Sequence, residues 1–458
     1  MEPVATHQGR IGVYRLTPSQ ILVLWFSGAI AIGTIALSLP VASAPDHSIR
    51  FIDALFMAAS AVCVTGLAVK DLATDFSTTG QVIILVLAQL GGLGYMVLST
   101  VIIILLGKKI GIKQRLVMQE ALNVLTVEGL IGLLKGILWM TLVMEGIGAV
   151  LLAIRFSFDV PGPEAIYLGV FHSVMAFNNA GFSLFPTNLI AYQSDVLVNI
   201  VITVLIISGG IGFIVYRDLI RLAKRETFRL TVHTWMVLSL TAALIVVGTL
   251  VFWAFEAGNP KTVGSLPLAD QLMVSYFHSV AARSGGFNSV DLGGATAATL
   301  YILVLLMFVG ASPGGTGGGI KTSTFGTMLV GIWAGIRGRS DVTAFHRRIP
   351  QETVIRAFSL ALVAFALTTG MTLVLQVSER QDFLRTLFEV TSAFGTVGMS
   401  TGDGGVLSYS ALFSDFGKFM IMLTMVIGRV GPLTVSVALV RLEETRRFRY
   451  PPERVLIG

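Results

Sequence analysis

The sequence predicts an all-α membrane protein made of four parallel repeats of helix, re-entrant loop and helix, with eight transmembrane spans of which the sixth is interrupted. Three observations predict it. Hydrophobic residues fill 54% of the 458 positions and charged residues only 13%, more apolar surface than a water-soluble chain of this length can bury. Apolar runs suited to a bilayer, which takes about 20 residues per helix, occur at 18–39, 80–107, 129–156, 196–216, 232–256, 297–336 (interrupted), 353–377 and 413–441. Between the first and second of these runs, the third and fourth, the fifth and sixth, and the seventh and eighth lies a shorter apolar stretch ending in a glycine-containing loop.

The first run reads as a span and not as a cleaved signal peptide, because it begins after a polar stretch and Pro40 follows it without a small-residue cleavage site. Lys and Arg gather before residue 18, in 108–116, 217–231 and 337–356, and after 440. All of these fall on one side of an eight-span path, which the positive-inside rule makes cytoplasmic. Both termini are then cytoplasmic, and the net charge of +6 reflects topology, not nucleic-acid binding. The single cysteine, Cys63, permits no intrachain disulfide and reads as a small packing residue. The six histidines show no metal-ligand spacing. No catalytic cluster or cofactor motif appears, so the chain is read as a non-enzyme.

The loops recur in phase. Their endings are VCVTGLAV (62–69), FNNAGFSLF (177–185), ARSGGFNSV (282–290) and FGTVGMSTG (394–402), and their glycines Gly66, Gly181, Gly286 and Gly398 are separated by 115, 105 and 112 residues. Phe56, Phe171, Tyr276 and Phe388 each precede the loop glycine by ten positions, although FHSV at 171 and again at 277 makes the third repeat one residue shorter locally. A second glycine cluster follows each loop: LGGLGY (90–95), SGGIGF (208–213), SPGGTGGG (312–319) and GRVGPL (428–433). In the second and fourth spans these clusters are read as close-packing glycines. The repeats are then 12–116 with its loop near 53–70, 117–229 with its loop near 164–186, 230–348 with its loop near 268–290, and 349–458 with its loop near 381–403 and a C-terminal tail.

A helix of about 11 residues covers only about 16 Å, half a hydrocarbon core. It must enter and leave on one face, and the irregular backbone after it is tolerated in a membrane only where it lines water or is buried in protein. Four such segments around a central pore meet that demand. Their helix C-termini favour a cation on the axis, and the strips Val64-Thr65-Gly66, Asn179-Ala180-Gly181, Ser284-Gly285-Gly286 and Thr396-Val397-Gly398 offer main-chain carbonyls to it. None of these positions is Asp or Glu. Neutral carbonyls suit a large, easily dehydrated monovalent ion such as K⁺.

With these motifs in view, the chain resembles the Trk/Ktr/HKT superfamily of potassium transport proteins, and within it the KtrB-like membrane subunits. The segments ASAVCVTGLAV, FNNAGFSLFP, ARSGGFNSVDL, SAFGTVGM, GRVGPLT and RYPPERVLIG carry the resemblance, which extends from about residue 12 to the end. It implies potassium uptake across the cell membrane through a channel-like pore with a backbone-carbonyl selectivity filter. It implies a homodimer resting on a cytosolic ring of KtrA-like subunits, with the nucleotide (ATP or ADP) bound on those partners and no cofactor in this chain. Glycine at 66, where some HKT relatives carry serine and pass sodium, favours K⁺. By resemblance the run 310–319, with Gly310, Ser312, Gly314, Gly315, Thr316, Gly317, Gly318 and Gly319, is an intramembrane gating loop with Lys321 at its end, and Arg429 is an electrostatic barrier across from it. A further reading of Arg429 has it tie loop carbonyls together, and Lys321 reaches either the pore or the interface.

His172 and His278 are read as pore-helix residues bonded to neighbours. Asp53, Asp71, Asp291 and Asp403 fall on the outer side, where they either concentrate cations or are ordinary loop charges. The rival function is a secondary transporter coupling K⁺ to Na⁺ or H⁺, which calls for buried ionisable groups at the bilayer midplane; Glu145 is the main one in the apolar spans.

Overall fold

The computed structural model describes residues 18–45, 47–105, 130–402, 407–432 and 434. The repeat limits at 12, 116, 117 and 458, Asp403, and the basic segments before 18, at 108–116 and after 440 lie outside the described residues. The described chain is mostly helical. Helices α1 (Pro18–Leu37), α2 (Phe51–Val62) and α3 (Thr78–Leu105) come first. Then follow α4 (Leu130–Phe156), α5 (Gly162–Asn178), α6 (Val196–Gly210) and α7 (Phe213–Ala223). After these come α8 (Val232–Glu256), α9 (Leu268–Ala281), α10 (Ala297–Phe308) and α11 (Thr322–Ile336). A small hairpin, β1 (Thr343–Ala344) with β2 (Arg347–Arg348), precedes α12 (Gln351–Glu379), α13 (Phe383–Gly395) and α14 (Asp415–Val430).

Local chemistry starts several of these helices where the sequence has a short polar residue. Asp195, Thr231, Thr296, Asp382 and Ser414 each accept, through the side chain, a backbone N–H of the first turn of α6, α8, α10, α13 and α14. That satisfies donors which lipid or protein interior would otherwise leave unpaired. The short helices α2, α5, α9 and α13 contain 12, 17, 14 and 13 residues, too few to cross a hydrocarbon core of about 30 Å along their axes.

Packing arranges these short helices in a circuit. Each lies against a long neighbour, α2 on α1, α5 on α4, α9 on α8 and α13 on α12. The next contact hands on: α3 packs on α5, α6 on α9, α10 on α13, and α14 returns to α2. Phe56, Phe171, Phe277 and Phe388 are fully buried at the heart of these contacts. The in-phase aromatic of the third segment is thus Phe277 and not Tyr276, as the displaced FHSV requires.

Among the described residues four helices are long and apolar enough to cross a membrane: Gln20–Leu37, Lys135–Phe156, Val232–Glu256 and Gln351–Glu379. A fifth is possible if Val196–Gly210 and Phe213–Ala223, bent by 94°, count as one span. The sequence predicts an interruption in the sixth span alone; the structure breaks the others of that class too. Gly94 (φ 73°) interrupts α3, Gly212 (φ 93°) separates α6 from α7, and Gly431 (φ 96°) ends α14. Three residues before each break, Gly91, Gly209 and Gly428 lie so close to the carbonyls of Val62, Phe177 and Phe394 that a Cβ would collide with them. The glycine clusters therefore do two things at once: they admit the end of a short helix and then turn the chain.

Candidate functional site

The site is assembled where the four short helices end. The first residue of each strip has left-handed backbone, Val64 (φ 56°), Asn179 (φ 61°), Ser284 (φ 86°) and Thr396 (φ 47°). So has the third, Gly66 (φ 93°), Gly181 (φ 68°), Gly286 (φ 72°) and Gly398 (φ 93°), while Thr65, Ala180, Gly285 and Val397 between them do not. For glycine this costs little. For β-branched Val64 and Thr396 it costs on the order of 1 kcal/mol each and persists only where surroundings enforce it.

The enforcing bonds run backward. Thr65 N–H donates to Ser60 O (2.8 Å), Ala180 N–H to Met175 O (2.8 Å), Gly285 N–H to Ala281 O (2.7 Å) and Val397 N–H to Ser392 O (2.8 Å). Gly66 and Gly398 amides donate to the hydroxyls of Ser60 and Ser392, both at 3.1 Å. These bonds satisfy carbonyls at the C-termini of the short helices and use up strip amides. Among the described residues only one strip carbonyl, that of Thr396, accepts a hydrogen bond, from Ser284 Oγ at 3.1 Å.

The strips meet one another in chain order. A Cβ on Gly66 would strike the carbonyl of Ala180, one on Gly181 would stand 2.7 Å from Gly286 Cα, one on Gly286 would strike Val397 O, and one on Gly398 would strike Thr65 O. The ring is thereby closed from first strip to second, third, fourth and back. All twelve strip residues named from the sequence are brought together here. On one side a cleft of about 20 Å³ is lined by Gly66, Gly181 and Gly398 together with Ser183, Asn188, Asn288 and Ser400.

On the other side lies the connection from α10 to α11. It begins and ends as two paired legs, with Gly310 N–H donating to Ile320 O (2.9 Å). Between them the chain touches three strips. Thr316 Oγ1 donates to Phe177 O (3.2 Å) beside the second strip, a Cβ on Gly317 would hit the Ser284 side chain of the third, and Gly318 N–H donates to Thr396 Oγ1 of the fourth (2.9 Å). Ser312 N–H and Thr316 N–H donate to Gly210 O (2.9 Å) and Gly209 O (3.0 Å), and Ser312 Oγ is bonded to Thr322 Oγ1 at 2.7 Å. Gly315 packs on the same two carbonyls, Gly314 (φ 72°) and Gly319 (φ 69°) make the turns, and Lys321 Nζ donates inward to Gly317 O (2.7 Å). The Arg429 guanidinium donates to Thr316 O and to Gly91 O. It does not stand across from the loop but fastens the loop to α3, the helix that follows the first strip. These bonds make the tie between carbonyls and do not bear on the guanidinium charge as a barrier.

Among the described residues the outer carboxylates are engaged by neighbouring groups. Asp53, 3% exposed, accepts from Lys418 Nζ at 2.7 Å and from Arg50 Nε at 3.1 Å, an ion cluster that locks α2 to α14. Asp71 accepts from Ala73 N–H and Thr74 Oγ1 in its own turn, and Asp291 from Gly293 N–H. Cys63 is fully buried behind the first strip. Five buried acidic or basic groups among the described residues escaped the sequence reading: Asp218, Glu256, Arg283, Lys418 and Glu389. The carboxylate of Glu389 accepts from Ser400 Oγ (2.7 Å) and from the Ser410 backbone N–H (2.9 Å) and hydroxyl. A glutamate inside the otherwise uncharged stretch FEVTSAFG was the available signal for Glu389.

Comparison with known proteins agrees with this geometry. The family model TrkH, described as cation transport protein, matches residues 3–450. The Ktr system potassium uptake protein B of Bacillus subtilis (strain 168) is 40% identical over 444 residues, covering 97% of each chain. The potassium/sodium uptake protein NtpJ of Enterococcus hirae is 37% identical over 452 residues, covering 97% of this chain and 98% of that protein. The crystal structure of the potassium transporter TrkH from Vibrio parahaemolyticus superposes with a TM-score of 0.72 over 95% of this chain and 87% of the other, at 18% identity, so the fold is shared. Several apolar helices, a closed circuit of short helices and a family match over nearly the whole length place the chain in the membrane and in the TrkH family of cation transport proteins.

Proposed function

We propose that this protein takes up potassium across the cell membrane through a channel-like pore whose selectivity filter is the ring of four strips. One observation carries the reading: four strips meet in a closed ring, their amides are turned back onto the short helices, and their carbonyls, with one exception, have no hydrogen-bond partner among the described residues. Backbone that alternates between left-handed and ordinary φ turns successive carbonyls to one side, where an extended strand would alternate them. Carbonyls so gathered replace the hydration shell of a monovalent cation. In this reading the chain crosses the membrane eight times in four parallel repeats about the pore, with both termini cytoplasmic.

The loop 310–319 is the gate. It lies against the second, third and fourth strips and is tied by Arg429 toward the first, so it obstructs the path below the ring and brings a positive charge beside it. Gating is then a displacement of this loop by a cytosolic KtrA-like nucleotide-binding ring that meets a homodimer of this chain; the nucleotide stays on that partner. That a relative is protein B of a Ktr system supports a partner of this kind.

Flux of K⁺, Rb⁺ and Na⁺ into liposomes holding the purified chain tests the reading. Saturable K⁺ and Rb⁺ flux down a gradient, with Na⁺ discriminated against, is expected; equal passage of the three ions would overturn it. Coupling to Na⁺ is the second reading, favoured by buried Glu145, which accepts from Asn178 Nδ2 (3.0 Å) and Gln89 Nε2 (3.3 Å) at the junction of α3, α4 and α5. Uphill K⁺ accumulation driven by an imposed Na⁺ gradient would decide for it.

A further inference from the structure

The ring and the loop beneath it leave unused a set of buried polar side chains on the outer half of the short helices. His172, on α5, is fully buried. Its Nδ1 donates to Leu168 O at 2.8 Å, so in the neutral ring Nε2 is an acceptor, and it takes the hydroxyl of Ser183 at 3.0 Å. Ser183 lies two residues beyond Gly181. On α13, Glu389 does the same for Ser400, two residues beyond Gly398.

The other two strips lack this side-chain bond to their own short helix and, among the described residues, are held beyond the glycine only through a backbone carbonyl, Ala68 O accepting from Ser408 N–H (2.7 Å) and Oγ (2.9 Å) and Asn288 O from Leu189 N–H (3.0 Å). Met57 and Ala68 occupy the corresponding places around the first. At the third, FHSV recurs and His278 Nδ1 again donates to its own helix, to Val274 O at 3.0 Å. Yet His278 Nε2 has no partner among the described residues, and neither has Oδ1 of Asn288, two residues beyond Gly286. Since the strips touch in the order one, two, three, four, the two tied strips face each other across the ring.

We propose that His172 and Glu389 are positioning residues for ion discrimination: they fix the outer ends of the second and fourth strips as the stiff pair of the ring, and leave the third, with its untied histidine, as the compliant wall. A smaller ion is accommodated when carbonyls close on it, and two facing walls that are held cannot close. The proposal rests on the reading of the strips as a cation filter.

K⁺ against Na⁺ competition for flux in liposomes, on variants whose folding is checked by size-exclusion profile and circular dichroism, tests it. His172→Leu and Ser183→Ala are each expected to lower K⁺ discrimination roughly fivefold, the loss of one buried hydrogen bond, while His278→Leu stays within about twofold of the unaltered protein. Glu389→Leu should lower it as well, and Glu389→Gln should lower it less, because the amide oxygen still accepts from Ser410 while Ser400 Oγ, which already accepts from the Tyr409 and Gly402 amides, loses its acceptor. Should Glu389→Leu fail to fold, His172→Leu and Ser183→Ala carry the test. An equal shift in His278→Leu and His172→Leu, or none in His172→Leu and Ser183→Ala, overturns the proposal. If the unaltered protein discriminates and Gly398→Ser does not, that failure strikes this proposal alone; an unaltered protein without discrimination overturns the filter reading and this proposal together.

Discussion

The ring and the loop below it differ in one respect that decides what each can do: the ring is built four times and the loop once. Each strip repeats the same left-handed, ordinary, left-handed backbone with unrelated side chains, Val-Thr, Asn-Ala, Ser-Gly and Thr-Val ahead of the glycine. After three strips the chain merely turns at Gly94, Gly212 or Gly431; after the third it opens into the segment from Gly310 to Lys321. A property shared by four backbones suits recognition of a spherical ion. A property held by one segment suits regulation, because a partner can move it without disturbing the other three.

The comparison breaks most easily at the loop. Deleting Gly314–Gly318 is expected to raise K⁺ flux in liposomes roughly 30-fold, as for about 2 kcal/mol taken off a barrier, with ion preference unchanged. Loss of K⁺ preference in that variant would show that loop and ring are not separable.

Changes in the ring should have the opposite signature. Gly66→Ser, Gly181→Ser, Gly286→Ser and Gly398→Ser each place a Cβ against the neighbouring strip at positive φ, and strain on the order of 1–3 kcal/mol is expected to cost about tenfold in K⁺ over Na⁺ discrimination. Competition assays in which all four behave as the unaltered protein would remove the ring from the ion path.

Arg429→Ala releases the loop from α3 without shortening it. Flux should rise about fivefold, as for the loss of charge-assisted hydrogen bonds, and the effect should be less than additive with the deletion, since both relieve one obstruction. Equal multiplication in the combined variant would place Arg429 at a separate barrier.

Thr396→Val sharpens the boundary. Thr396 Oγ1, which accepts from Gly318 N–H at 2.9 Å, joins the ring to the loop directly. Its loss should raise flux only about twofold and leave ion preference intact; a change in preference without a change in flux would assign the hydroxyl to the ring alone.

What the sequence by itself determined was everything carried by composition and period. Lipid as the solvent, the in-phase loop glycines and the twelve strip residues were legible, because apolar runs and glycines needed at left-handed positions leave marks that do not depend on distant neighbours. Val64 and Thr396 take left-handed backbone, against the preference of β-branched residues, because bonds five residues back onto the preceding helix end overrule it, and tertiary structure decided that these helix ends pack against neighbouring strips in a ring. It decided that Asp53 belongs to an ion cluster with Lys418, 365 positions away. And it decided that of two identical FHSV motifs only His172 finds a hydroxyl: a sequence states which donors and acceptors exist, while their pairing depends on where separate segments come to rest.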